Sequence, residues 1–311
     1  MRLAVSSVLL GLAWFAATNV AGTAVACALE RATSTRRRSA GVLLAMRLLP
    51  AALSAFFVAA LFLPAHLQYE PAEADESLGI ALGTLIALGF VLIGRSVLRA
   101  ARILRTDFRL AAMTARVGRP RGAILEVSGL PGVSLAGIFR PKILIGSAAL
   151  AELTPAELDV AISHEMAHRR SLDNFKRFLI ACAPDVFGML PAARRLEDRW
   201  EAETECQADA HAVGGDGRRA IVLASALVKV ARLARPAAIW PSPLWSGFHV
   251  AALLETRVRR LVGGETSLPR TRAALWRTIA AAAITVPAAA WALDVSYSVH
   301  LVTEALVTYL P

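Results

Sequence analysis

The sequence predicts a mainly α-helical membrane protein, with four transmembrane helices and one cytoplasmic α+β domain that contains a small sheet. Three observations carry this prediction. Hydrophobic residues make up 56% of the 311-residue chain and mean hydropathy is +0.52, beyond the range of an ordinary soluble domain. Four stretches are apolar for about the 17–25 residues that a bilayer-crossing helix needs. The loops between them differ sharply in charge.

The four stretches are Leu3–Leu29, Gly41–Leu63, Leu78–Gly94 and Ala273–Leu293. Arg47 lies in the second, near enough to one end to snorkel. The fourth holds Arg277 and Pro287. Between the first two runs "ERATSTRRRS", with Arg31, Arg36, Arg37 and Arg38, whereas "AHLQYEPAEADES" between the next two has acids and no Arg or Lys. The positive-inside rule then places the N-terminus outside and residues 95–272 in the cytoplasm. A cleaved leader ending at "AVAC", Ala24–Cys27, is the weaker reading, because cleavage would leave the arginine cluster on the outer face. Residues 294–311 form a short external tail on this topology.

After the third stretch, residues 95–117 read as a basic juxtamembrane helix. Arg95, Arg99, Arg102, Arg105, Arg109 and Arg116 fall within a sector of roughly 120° at 100° per residue. Such a stripe suits a lipid surface, and juxtamembrane arginines are also what topology alone demands. The charge balance is 34 Lys+Arg against 24 Asp+Glu, but no stacking motif or reading helix accompanies it, so direct nucleic-acid binding is not expected. Cys27, Cys182 and Cys206 form no close-spaced pair and no C-x-x-C, so neither a disulfide framework nor a cysteine zinc cluster is indicated.

Residues 118–269 form the polar domain. It opens on strand-like runs, "AILEVS", "VSLAGIF" and "KILIG", and Pro141 puts the second and third at a sheet edge, where an extended peptide could pair. Then "LTPAELDVAISHEMAHRRS" starts a helix: Thr154 caps it, Pro155 suits its first position, and Glu157 completes a capping box. On that helix His164 and His168 are one turn apart on one face, about 6 Å along the axis. Two imidazoles so placed can converge on one Zn2+, and Glu165 is placed to act on water as general base.

No glycine and third histidine follow soon after, so a third ligand must come from elsewhere. The breaker-free run "AARRLEDRWEAETECQADAHAVGG" offers Glu197, Glu201, Glu203 and Glu205. Glu205 and Asp209 are four apart, so one can bind metal while the other orients a ligand histidine. Glu201, one turn earlier, competes with Glu205. Glu197 and Glu203 read as solvated partners of Arg195 and Arg199, and Cys206 and His211 as packing or surface residues. Between the two helices, "FLIACAPDVFGMLP" is too short to span; a re-entrant segment and a buried core helix fit it equally.

The ordered set "GIFRPKILIG", "ISHEMAHRRSLDN" and "APDVFGMLPAARRLEDRWEAETECQADA" resembles the BlaR/MecR family of integral-membrane zinc peptidases over roughly residues 78–293. "ECQAD" is also similar to the third-ligand motif of HtpX and CAAX prenyl protease relatives. The resemblance implies a zincin-like, gluzincin-type domain in a bacterial inner membrane, with His164, His168 and Glu205 on zinc. It makes Glu165 the base and Asp209 the partner of a ligand histidine. It also implies a protein substrate, with a transcriptional repressor as one candidate class, and marks "LETRVRRLV", Leu254–Val262, as the domain's late arginine helix. Two departures stand out: no S-x-x-K nucleophile motif of a penicillin-binding sensor occurs, and Ala208 stands where cysteine is frequent. Zinc would polarise the scissile carbonyl, Glu165 would move the proton, and His249 or Arg257 could serve the oxyanion. The competing class is a non-catalytic membrane scaffold on the same fold, which would have no need of Glu165.

Overall fold

The computed structural model describes residues 2–69, 79–122, 124–130, 132–233, 251–264 and 295–309. It divides into two compact units, and the division falls inside two helices, after Val97 and after Glu197. The first unit comprises Met1–Val97, Ala183–Glu197 and the C-terminal helix; the second comprises Leu98–Cys182 and the chain from Asp198 onward.

In the first unit, helix α1 spans Arg2–Thr33 and α2 spans Ala40–Phe56, continued by a π-turn at Phe57–Phe62 and by α3, Leu63–Tyr69. Helix α4 spans Ile80–Val117. Three helical stretches, Val5–Thr33, Ala40–Tyr69 and Ile80–Val117, are long and apolar enough to cross a membrane. The expected third span and the basic helix after it are thus one helix, because "GRSVLRAARILRTDF" contains no breaker after Gly94. The expected fourth span lies outside the described residues. The expected short tail contains a helix of its own, Val295–Tyr309, whose Thr303 accepts a hydrogen bond from Trp14 Nε1 at 3.1 Å. Close backbone approach sets the packing of α1 on α4: a Cβ on Gly89 would lie 2.3 Å from the Leu12 carbonyl oxygen.

Arg47 does not snorkel. It is buried and pairs with Asp185 at 2.9 Å and Glu197 at 2.5 Å. Glu197 is therefore a partner of α2 rather than a solvated side chain, and Arg195 pairs with Glu30 on α1 at 3.1 Å. A charge held away from water must be matched by an opposite charge, and these contacts tie residues 183–197 to α1 and α2. Asn19 adds two bonds, donating to the Pro184 carbonyl at 3.1 Å and accepting from the Val186 N–H at 2.9 Å. The stretch expected as a re-entrant segment or core helix is not one continuous helix: α7, Asp173–Cys182, ends within it, and a 3-10 turn follows at Phe187–Met189.

The second unit is built on a four-stranded mixed sheet of order β1-β2-β4-β3, with β1 at Arg119–Arg121, β2 at Ile124–Val127, β3 at Val133–Ala136 and β4 at Lys142–Gly146. β3 pairs antiparallel with β4, Val133 opposite Ile145 and Leu135 opposite Ile143, while β2 runs parallel to β4. Of the expected edge hairpin, β3 is the edge and β4 is interior; Pro141 precedes β4 and so removes no ladder bond. Gly146 is required where β4 ends, since a Cβ there would meet the Leu130 carbonyl oxygen at 1.8 Å.

Helices α5, Ser147–Glu152, and α6, Pro155–Ser171, follow the sheet. Helix α8 spans Pro191–Val213, α9 Gly217–Leu233 and α10 Ala251–Val262; the C-terminal helix is α11. Two apolar clusters hold α6. One joins Ala161 to Val133, Leu135, Ile143 and Ile145 of the sheet and to Ala226 and Val230 of α9. The other joins Val160 to Ala212, Leu223, Leu227 and Leu261. A helix packed on two sides in this way cannot rotate about its own axis, which fixes the direction of its polar face.

The cap of α6 forms as its sequence requires, the Glu157 N–H donating to Thr154 Oγ1 and the Thr154 N–H to Glu157 Oε2. The same carboxylate accepts from Ser225 Oγ at 2.6 Å and Lys229 Nζ at 2.8 Å on α9. Burial pushes the Glu157 carboxyl up, but Lys229, Ser225 and Thr154 outweigh it and hold it at about 2, below its ordinary 4.5. A depressed carboxyl contributes stability above its unfolded pKa and loses it as pH falls from about 4.5 toward 2. Glu157→Gln should therefore lower stability near neutral pH by about 1–3 kcal/mol. Its melting temperature should also vary less with pH across that acid window, as thermal unfolding in detergent would show.

Candidate metal centre

Helix α6 carries His164, Glu165 and His168, all buried, toward α8. His164 Nε2 and His168 Nε2 are 3.1 Å apart. Glu205 on α8 straddles them, Oε2 at 3.4 Å from His164 Nε2 and Oε1 at 3.4 Å from His168 Nε2. Among the described residues these three side chains form the group able to hold a metal ion. A four-coordinate ion with bonds of about 2.0–2.1 Å has ligand-to-ligand edges of about 3.3 Å; the two ring nitrogens are near that spacing, each has one Glu205 oxygen at 3.4 Å, and one ligand atom from each residue lies within 4.8 Å of the others.

Each histidine is oriented from its other ring nitrogen. Asp209, one turn beyond Glu205, places Oδ1 3.0 Å from His164 Nδ1, a close ion-pair approach lying outside the angular range of a hydrogen bond. Asp173 makes a 2.9 Å hydrogen bond with His168 Nδ1 and accepts a second from Lys176 at 2.8 Å. Asp173 is reachable because Leu172 adopts the left-handed conformation, φ 56°, and turns the chain between α6 and α7. A leucine carries no turn signature, so nothing in the local sequence singles out Asp173.

Arg257, on α10, is one of the two residues named as able to serve the oxyanion, and here it faces carboxylates. It donates twice to Asp209, at 2.8 and 2.6 Å, and lies 3.0 Å from Glu205 Oε2. It is buried and committed to the two carboxylates that face the histidines. Its bidentate grip fixes Asp209 as a point contact from lysine could not. His249, the other oxyanion candidate, lies outside the described residues.

Glu201 stands apart from the cluster. Its side chain is 47% exposed, and Arg177 is 3.9 Å away. Arg177 also lies 3.7 Å from Glu205 Oε1 and over the Trp200 ring at 5.7 Å. Cys206 contacts Arg260, and His211 Nδ1 bonds the Gln207 carbonyl at 2.7 Å, so neither joins the metal-binding group.

The electrostatics favour a cation. Four carboxylates, Glu165, Asp173, Glu205 and Asp209, surround the two imidazoles, against Arg257, Arg177 and Lys176. Burial works against a charged imidazole, yet Asp209 and Glu205 raise His164, and Glu205 and Asp173 raise His168 to about 10. Desolvation works against the Glu205 anion as well, but His168 and Arg257 hold it well below the usual carboxylate range. The same carboxylates that favour protonated rings favour any cation at these nitrogens.

Glu165 differs from its neighbours. Burial raises its pKa, the histidines offset this only in part, and its Oε2 is buried with no hydrogen-bond partner.

Comparison with known protein families, curated proteins and solved structures finds no match to this chain.

Proposed function

We propose that the protein is a membrane-embedded zinc endopeptidase that hydrolyses peptide bonds of a cytoplasmic or membrane-associated protein. The observation that carries this reading is the convergence of His164, His168 and Glu205, one ligand atom from each within 4.8 Å of the others, with the unpartnered oxygen of Glu165 buried beside them. The motif likeness to BlaR/MecR peptidases supports the same reading, as do the three helices able to cross a membrane. It also offers a repressor protein as one substrate class and a bacterial inner membrane, with the peptidase unit on the cytoplasmic side, as the location.

His164, His168 and Glu205 would hold the ion. When bound, zinc supplies Lewis-acid polarisation of the scissile carbonyl and makes water more acidic. Glu165 accepts the proton of the attacking water and delivers it to the departing amine. Asp173 and Asp209 keep the ligand rings in place, and Arg257 keeps Asp209 and Glu205 in place.

The direct test is metal removal. Purified full-length protein should contain about one zinc per chain and cleave labelled casein or itself. Phenanthroline should abolish cleavage and added zinc should restore it; activity indifferent to the chelator would refute the reading. A subtler variant probes the ring support. Asp173→Asn should weaken zinc binding by about 10–100-fold, because the amide no longer holds His168 as an anion does. Competition with a zinc-chelating dye measures this.

A further inference from the structure

Helix α4 carries a feature that the metal centre does not use. From Leu98 to Val117 it belongs to the same compact unit as the metal cluster, and its arginines gather on one side. At 100° per residue, Leu98, Arg102, Arg105, Arg109 and Arg116 fall within about 60° of one another. The opposite side is the one that packs: Thr114 is buried, and Asp107 accepts a hydrogen bond from the Ile138 N–H at 3.5 Å. Asp107 is also the only acid between Arg95 and Val117. The basic face is thus turned away from its own domain and has no counter-charge on its own helix.

Arg99, Arg102, Arg105, Arg109 and Arg116 are all exposed, and among the described residues none of them is hydrogen-bonded or ion-paired. Apolar side chains stand beside them, with Leu98 58%, Phe108 72% and Met113 52% exposed. Anionic lipid is the nearest source of negative charge for a chain with membrane-crossing helices, but it does not reach far enough. α4 is a single helix without proline from Ile80 to Val117. At about 1.5 Å per residue, Arg109 and Arg116 lie about 23 and 33 Å beyond Gly94, where the apolar run ends. A tilt of about 40°, the steep end for membrane helices, still leaves about 17 and 25 Å. The headgroup layer is about 5–8 Å thick and the screening length about 8 Å. Lipid therefore serves Arg99 and Arg102 and leaves the outer arginines unmet. Nucleic acid carries charge to any distance, yet a phosphodiester backbone gives Leu98, Phe108 and Met113 nothing apolar to bury against. A protein segment supplies both.

We propose that the outward face of α4 from Leu98 to Val117 is a docking surface for an acidic protein segment. Its carboxylates meet Arg102, Arg105, Arg109 and Arg116, and its apolar side chains cover Leu98, Phe108 and Met113. Because Arg102, Arg105 and Arg109 are three and four residues apart, the matching segment is a helix whose Asp or Glu recur at the same spacing. The proposal does not rest on the peptidase reading, since none of these residues belongs to the metal cluster.

The test uses the full chain in nanodiscs of phosphatidylcholine and a fluorescein-labelled helical peptide of about 20 residues, with Glu every three or four positions and Leu beside them. Anisotropy reads its affinity. Arg105→Glu with Arg109→Glu should raise Kd at least about tenfold, and added salt should weaken the wild type far more than the variant. Phe108→Ser should raise Kd about threefold or more, an effect that bare charge attraction does not give. Arg170→Glu with Arg218→Glu makes the same change in net charge at other exposed positions and should leave Kd within about twofold. The melting temperature should not move in the Arg105/Arg109 variant, because neither side chain has a partner in the fold. If that variant does not accumulate, Arg105→Gln with Arg109→Gln is read the same way, with a rise of about threefold. Equal Kd in the Arg105/Arg109 variant and the wild type would overturn the proposal, as would an equal loss in the Arg170/Arg218 variant, which marks net charge alone. Tighter binding of a DNA duplex of about 20 base pairs than of the peptide would give the face to nucleic acid instead. Release of the peptide by about 30% phosphatidylserine in the nanodisc would give it to lipid.

Discussion

Glu165→Gln should retain zinc and lose cleavage by about 10²–10⁴-fold, the range that a positioned general base contributes. The expectation follows from where the residue sits. Glu165 is adjacent to a candidate ligand in sequence but is not in the metal-holding group, so an isosteric amide leaves those contacts untouched. Its Oε2 has no hydrogen bond to lose, and burial already works against its charge. Replacing a desolvated carboxylate with a neutral side chain should cost little stability, and the melting temperature should hold or rise, as is common where a site trades stability for activity. Metal analysis, thermal unfolding and cleavage of labelled casein measure the three quantities on one preparation. Equal zinc with equal cleavage would reject Glu165 as base. Equal zinc with no cleavage in either protein would favour the non-catalytic scaffold.

Glu205→Gln should lose the metal, and Glu201→Gln should not. A neutral amide cannot supply the anionic carboxylate whose two oxygens face the two ring nitrogens, so the loss should exceed the about 10–100-fold expected for an outer carboxylate. It also withdraws a counter-charge from Arg257, 3.0 Å away and buried, and so should lower stability as well as affinity. Glu201 is half exposed beside Arg177, and its replacement should leave zinc content unchanged. The two variants share a helix and differ by one turn, which makes each the control for the other. Metal lost from Glu201→Gln and kept by Glu205→Gln would reverse the assignment.

Much of the site is legible without any knowledge of the fold, because its first half is local. Thr154, Pro155 and Glu157 start α6, and four-residue spacing then places His164 and His168 together whatever else the chain does. The apolar stretches are equally plain, since crossing a bilayer is a matter of length and composition. The buried polar pairs are not. Arg47 meets Asp185 and Glu197 across 138 and 150 residues, whereas local sequence alone puts Arg47 at the lipid surface and Glu197 in solvent. Asp173 is hidden by a left-handed leucine, and the carboxylates that claim Arg257 lie on another helix, out of reach of any local pattern.

By itself, then, the sequence determined the helices, their apolar or polar character, and the two imidazoles on one turn, since each depends on residues a few positions apart. The tertiary structure was needed to choose between Glu205, already favoured by the motif likeness, and Glu201, and it alone brought Asp173 to His168 and Arg257 to Asp209 and Glu205. Glu201 and Glu205 lie on the same side of one helix, and only the docking of α8 against α6 brings one carboxylate to 3.4 Å from both rings while leaving the other in solvent.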